Sequence, residues 1–305
     1  AGAQVVFCLG RPPPSPPTPA FPLGVWVLDP DGDGLAVAAT AQAAGAQVLR
    51  VAEQAPLMAV AGFAAGLWRW PAKALQALTL AHPGYRAASH VQSAQGVEKL
   101  QSLRLTTGKR TTEIACDRLA CGYGLIPNTE LALALGCGLN ALGGVAVDAW
   151  QATTRDDTYA AGECTGFGGS DKALVEGRIA GLAASGERER AAALCPERAH
   201  WQRFAQALAR HFALQSAVTQ LAQANTLVCR CEDVRYDQLT GFQSWTQAKL
   251  ATRCGMGACQ GRVCGAATQA LFGWGPHDGS APRTPLSPCR IATLRADAAS
   301  TVRSA

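Results

Sequence analysis

The chain has 305 residues, of which 48% are hydrophobic and 16% charged, with a formal net charge of +5. That apolar fraction is enough for a packed core and excludes wholesale disorder, and the length allows about two domains. Its 27 Lys and Arg are scattered and aromatics reach only 6%, which excludes a nucleic-acid binder built on a basic stripe; no run of about 18 uncharged apolar residues offers a membrane span.

Residues 11–22 are proline-rich and predict a stiff, extended surface loop. Gly24 to Leu28 reads as a buried strand, Asp29 to Gly34 as a turn, and the Ala-rich stretch Leu35–Ala44 as a helix that Gly45 ends. Gln47–Ala52 follows as a second strand, so this segment is a βαβ unit with a parallel pair. Residues 56–82 read as two helical pieces broken near Pro71. Strands are expected at His90–Val97, Lys99–Thr106, Thr111–Cys116 and Leu119–Tyr123. A helix starts just after Asn128, and an exposed strand is expected over Val145–Ala149. Thr158–Gly162 reads as a strand that ends in a glycine, followed by a helix over Asp171–Ala184. Gly186–Glu197 is polar and reads as a linker; Trp201–Leu221 carries apolar residues at near-helical spacing. The residues after Gly275 have little periodicity and read as a tail.

Twelve cysteines are many for this length, and five of them crowd between Cys229 and Cys264. Such clusters in a chain without a secretion signal point to metal rather than disulfides. The pattern is Cys229-x-Cys231, then 22 residues, then Cys254-x4-Cys259, with Cys264 five residues on as a reserve ligand. Four thiolates enclose either zinc or an iron–sulfur cluster, and five unligated core cysteines are the remaining reading. C-x-C fits poorly to a zinc knuckle, which favours [2Fe-2S]. Gly255, Gly257 and Gly261 let backbone approach the sulfurs closely.

The segments VCRCEDV and TRCGMGACQGRVCG resemble the [2Fe-2S] domain related to bacterioferritin-associated ferredoxin. More narrowly, they resemble the C-terminal part of the FAD/[2Fe-2S] subunit of multi-subunit amino-acid dehydrogenases: opine oxidase, hydroxyproline or proline dehydrogenase, and hydrogen cyanide synthase. The resemblance implies that Cys229, Cys231, Cys254 and Cys259 are cluster ligands. The spacer between the two pairs is somewhat shorter than the family's.

Thr158–Gly166, TYAAGECTG, resembles the second flavin motif of two-dinucleotide-domain flavoproteins, and Leu174–Gly181 matches the helix behind it. The resemblance implies FAD contacts at Gly162, Glu163, Gly168 and Gly169. Glu163 stands where the family has an aspartate that accepts a hydrogen bond from the ribityl chain. The N-terminus of the following helix would face negative charge on a reduced flavin ring. Residues 44–56 and 115–131 match the same family, so the likeness covers most of 24–275.

Two departures stand out. No strand with G-x-G-x-x-G opens the chain, so the first FAD pyrophosphate cradle is absent from the sequence, and about half a domain is expected to precede Ala1. Asp29, Asp31 and Asp33 replace the second glycine-rich turn; their charge would repel a pyrophosphate and Pro30 lacks a donor, so no nicotinamide nucleotide is expected there. Those three Asp also lack the twelfth-position Glu of a calcium loop, where Thr40 stands.

The implied fold class is α/β: a two-dinucleotide-binding-domain flavoprotein fold, incomplete, plus a small, mostly helical [2Fe-2S] domain. The expected division is 1–185 for the flavoprotein unit (insert about 24–115, flavin-domain return about 116–185), 186–225 helical linker, 226–275 cluster domain and 276–305 tail. The implied function is an oxidoreductase subunit that passes electrons from an amino-acid- or opine-oxidising flavoprotein partner through FAD and the cluster. A small ferredoxin-like subunit is a further partner, and the setting is the cytoplasm or the inner face of the membrane. The alternative is a non-catalytic scaffold with a degenerate flavin fold and a zinc- or cluster-stapled module. No catalytic constellation is visible: the five His, at 82, 90, 200, 211 and 277, stand apart.

Overall fold

The computed structural model describes residues 24–27, 34–274, 286 and 290. The proline-rich segment 11–22, the acidic turn 29–33 and the tail beyond 275, apart from 286 and 290, lie outside the described residues.

Strand β1 (Gly24–Val27) leads through helix α1 (Gly34–Ala43) to strand β2 (Val48–Ala52), and β1 and β2 pair in parallel. Alanine dominates α1 and favours the helix; Gly45 ends it at φ +89°, a conformation that side-chain-bearing residues rarely adopt. The helix sets Ala38 against Val48 and Val51 of β2.

Helix α2 (Leu57–Gly66), a single 3-10 turn (Leu67–Arg69) and helix α3 (Pro71–Thr79) follow, with Pro71 in the first turn where its missing N–H costs nothing. The chain returns as β3 (Tyr85–Arg86), parallel to β2. Strands β4 (Ser89–Gln95), β5 (Ser102–Thr107) and β6 (Arg110–Ala115) form an antiparallel meander. Its core is Val91, Leu103, Leu105 and Cys116, packed with Ala52. Strand β7 (Leu119–Ala120) then adds to β1, giving a parallel sheet of order β3-β2-β1-β7.

Helix α4 (Glu130–Ala134) is followed by irregular turns up to residue 161. The strands expected at Val145–Ala149 and Thr158–Gly162 do not form. A strand needs a ladder, and here there are only isolated bridges: Leu139 with Val145, Val147 with Thr153, Ala152 with Tyr159. Gly162–Thr165 is instead a 3-10 turn, leading into α5 (Gly169–Ala184). The polar stretch 186–197 is largely helical: α6 (Arg188–Ala192) and the start of α7 (Cys195–His211) occupy it. Buried Ala191 explains this, because it packs with Val175, Ile179 and Ala183 of α5. Helix α8 (Ser216–Thr219) completes this part.

Helix α7 clamps the segment after β2. Phe204 packs on Leu67 and Trp70, and buried Gln54 reaches the α7–α8 turn. The Gln54 amide donates to the carbonyls of Phe212 and Ala213, each at 3.3 Å, and its oxygen accepts from the Gln215 N–H at 2.7 Å.

The last unit begins with strands β8 (Leu227–Cys229) and β9 (Val234–Arg235), which pair antiparallel. Helix α9 (Trp245–Thr252) spans part of the spacer between the cysteine pairs, and α10 (Cys264–Phe272) follows them. No helix among the described residues is long and apolar enough to cross a membrane.

Candidate functional site: a thiol cluster and a flavin-type turn

The cysteine module has a small core of Val228, Val234, Leu239, Trp245, Ala248 and Trp274, which also contains Cys229, Cys254 and Cys264. The Tyr236, Phe272 and Trp274 rings stack at its edge, with centroids 5.2 and 4.4 Å apart. Ser244 caps α9 by accepting from the Gln247 N–H, and Arg253 ends it at φ +65°. That left-handed residue turns the chain so that buried Cys254 follows at once. Two glycines permit the close approach. A Cβ on Gly255 would lie 2.5 Å from the Trp245 ring, and one on Gly257 would lie 2.2 Å from the Cβ of Cys231.

The sulfurs of Cys229, Cys254 and Cys264 all lie within 4.8 Å of one another, and all three residues are buried. Cys231 and Cys259 lie outside this trio and are more exposed. The structure therefore brings two of the four expected ligands, Cys229 and Cys254, into one buried group with Cys264, and leaves Cys231 and Cys259 outside that trio.

The thiols differ in character. Burial raises the Cys259 thiol, but the Val263 N–H, the Cys231 thiol and the Gly261 and Arg262 N–H groups donate to its sulfur, and the net result lies below its ordinary value. Cys264 moves the other way, raised by its hydrogen bond with Cys254 and by burial. The Glu232 carboxylate, next to Cys231, accepts from Arg253 Nε at 2.7 Å, which ties the first cysteine pair to the second. A donor set made of thiols, aided by main-chain N–H groups, fits a thiophilic metal or an iron–sulfur cluster.

The flavin-type turn is built on a buried ion pair. Lys172 and Glu176, one turn apart on α5, meet at 2.7 Å with side chains 7% and 2% exposed. The second oxygen of Glu176 accepts from the Gly162 N–H at 2.9 Å and the Thr165 hydroxyl at 3.0 Å. Lys172 donates to the Gly166 carbonyl at 2.9 Å. The loop 162–168 is thereby wrapped around one ammonium and one carboxylate. Gly162 takes φ +82°, and a Cβ on Gly168 would strike the Lys172 side chain at 2.3 Å. Glu163 and Gly169 are exposed, Glu163 on the 3-10 turn and Gly169 at the start of α5, and Gly162 and Gly168 are buried beneath them.

Sequence reasoning missed Lys172, Glu176 and Gln54. The i,i+4 spacing of Lys172 and Glu176 was a visible signal, but such pairs are usually solvated. Gln54 had none, because its partners lie about 160 residues away.

The parallel sheet, the antiparallel meander and the turn leading into α5 define an α/β oxidoreductase of the two-dinucleotide-binding flavoprotein class. Residues 34–189 match the pyridine nucleotide-disulphide oxidoreductase family, and the chain belongs to it. Among characterised relatives, the HcnB subunit of hydrogen cyanide synthase from Pseudomonas aeruginosa is 32% identical over 197 residues, covering 57% of this chain and 42% of that protein. An opine oxidase subunit of Agrobacterium tumefaciens is 30% identical over 220 residues, covering 66% of this chain and 42% of that protein. The L-proline dehydrogenase of P. horikoshii shares the fold, with a TM-score of 0.57 at 16% identity over 90% of this chain and 50% of that one. The chain thus spans about two fifths of the length of these curated relatives.

Proposed function

We propose that this chain is an electron-transfer subunit that holds a [2Fe-2S] cluster and works beside an amino-acid- or opine-oxidising flavoprotein. The buried group of Cys229, Cys254 and Cys264, whose sulfurs lie within 4.8 Å of one another, is the observation that carries the reading. When bound, the cluster supplies one-electron transfer. Cys229, Cys231, Cys254 and Cys259 are the assigned ligands; Cys264 stands within reach of the same locus. The protein's own work is to bring the sulfurs together and to keep the inner face dry with Trp245, Leu239 and Trp274.

FAD is assigned to the turn around Gly162, Glu163, Gly168 and Gly169. These residues would grip the ribityl chain and ring edge; with no G-x-G-x-x-G turn in the sequence to hold the pyrophosphate, the 305-residue chain alone should hold FAD weakly. Residues 226–275 form the cluster unit in this reading, 186–225 the helical connection, and 1–185 the flavoprotein unit, with its insert at about 24–115. The relatives, a subunit of hydrogen cyanide synthase and a subunit of opine oxidase, support a multi-subunit setting.

The test is a visible spectrum with iron, sulfide and zinc analysis of the anaerobically purified chain. A brown protein that bleaches with dithionite and contains iron and acid-labile sulfide is expected. A colourless protein with stoichiometric zinc would make the module a structural staple and overturn the electron-transfer reading.

A further inference from the structure

We infer that Arg262 and Glu130 are a positioning pair: they dock the cysteine module on the flavin-type unit and set the reduction potential of the cluster. The inference rests on the [2Fe-2S] reading above.

Arg262 lies in the short loop between Cys259 and Cys264. Its main-chain N–H lies 3.1 Å from the Cys259 carbonyl, and its guanidinium donates to the same carbonyl at 3.4 Å. The other end of the guanidinium meets the Glu130 carboxylate at 2.8 Å and also donates to the Leu286 carbonyl. Glu130 opens α4, 132 residues earlier in the chain. Both side chains are only about one-third exposed, at 36% and 33%. A cation is therefore fixed beside a cysteine carbonyl in the sulfur-bearing loop, and its counter-charge is supplied by the other unit.

Reduction of the cluster adds one electron and, with no bond made or broken, one negative charge. A nearby cation favours the reduced form and a nearby anion disfavours it. The two residues therefore act in opposite senses on the potential while acting together on docking. That opposition separates them from a merely structural latch, whose loss through either partner would move the potential the same way.

The experiment uses the full chain and three variants, Arg262→Gln, Glu130→Gln and Arg262→Lys, with iron and sulfide measured first. Hydrogen exchange over residues 130–134 and 259–264 reads docking, with or without metal. Either Gln variant should speed exchange in both segments by roughly fivefold, the scale of one partly exposed ion pair. Potentiometric titration followed by electron paramagnetic resonance reads the second role: Arg262→Gln should lower the potential, Glu130→Gln should raise it, and Arg262→Lys should stay nearest the parent. Unchanged exchange in both segments overturns the docking role. Iron-loaded variants whose potentials are unmoved, or move in one direction, overturn the tuning role and leave the cluster reading standing. A parent chain without iron removes the cluster reading and the tuning role with it, and the exchange data then decide docking alone.

Discussion

The flavin-type unit and the cysteine module solve the problem of a polar interior in opposite ways. In the first, a parallel sheet and a meander supply the apolar core, and the buried charges of Lys172 and Glu176 cancel each other beneath a glycine-rich loop. In the second, there is almost no sheet, and three of the nine core residues are cysteines. In the first unit the two buried charges answer each other. The second packs thiols, and in the proposed reading its stability would follow the metal or cluster they hold.

The largest effect should come from the thiols. Cys254→Ser is expected to abolish iron and sulfide binding and to open residues 226–274 to protease, because a unit of about 50 residues leans on its metal. Full iron and sulfide in that variant would transfer the ligand role to Cys264 and blur the contrast between the two units.

Next comes the ion pair of the other unit. Lys172→Met leaves the Glu176 carboxylate buried without its cation and should cost about 3–5 kcal/mol in urea denaturation. The double variant Lys172→Met with Glu176→Gln should recover most of that loss. If the single variant is as stable as the parent, the charges do not hold the loop.

Within the module, Gly255→Ala should cost about 2–4 kcal/mol, from left-handed strain and overpacking against Trp245. The midpoint of thermal unfolding of the metal-loaded chain reads it, and no change would mean that the Trp245 ring yields freely.

The smallest effect is a matter of pH. In metal-free chain, Cys259 should react with iodoacetamide at a lower pH than Cys264, because only the thiolate attacks. Its depressed value also implies a stabilisation present above the unfolded thiol's pKa, about 8.5, and lost as pH falls through the lower folded value. Mass spectrometry of peptides alkylated at stepped pH checks the order, and Cys264 labelling first would contradict the donor ring around Cys259.

Much of the scaffold was legible because its elements are set by local pattern. The strands of the meander β4–β6 fall within three residues of the expected bounds, and Pro71 divides α2 from α3 as expected. What failed was set by distant partners. Thr158–Gly162 has strand composition but meets only one bridge partner, and residues 186–197 look solvated yet fold as helix because Ala191 finds α5. The thiol locus was visible in the spacing Cys229-x-Cys231 and Cys254-x4-Cys259. The nearness of the reserve residue Cys264 was legible too; that it, rather than Cys231 or Cys259, shares the buried group with Cys229 and Cys254 was not, since spacing does not reveal which way α10 turns its first residue.

Some apolar surface on both halves of the flavin-type unit is left bare. Tyr123, Leu125, Ile126, Leu131 and Leu135 are exposed around α4, and Leu57, Met58, Trp68, Leu75 and Leu78 along α2 and α3.

The clasp between Gln54 and the α7–α8 turn has a consequence for the ribosome. The amide of Gln54 finds its acceptors only when residues 158 and 159 positions later have been made. At ordinary synthesis rates that is a wait of roughly 10–30 s. Through that interval the end of β2 and the apolar segment behind it are finished but unclasped. A chain that ends before residue 212 carries Gln54 without these acceptors.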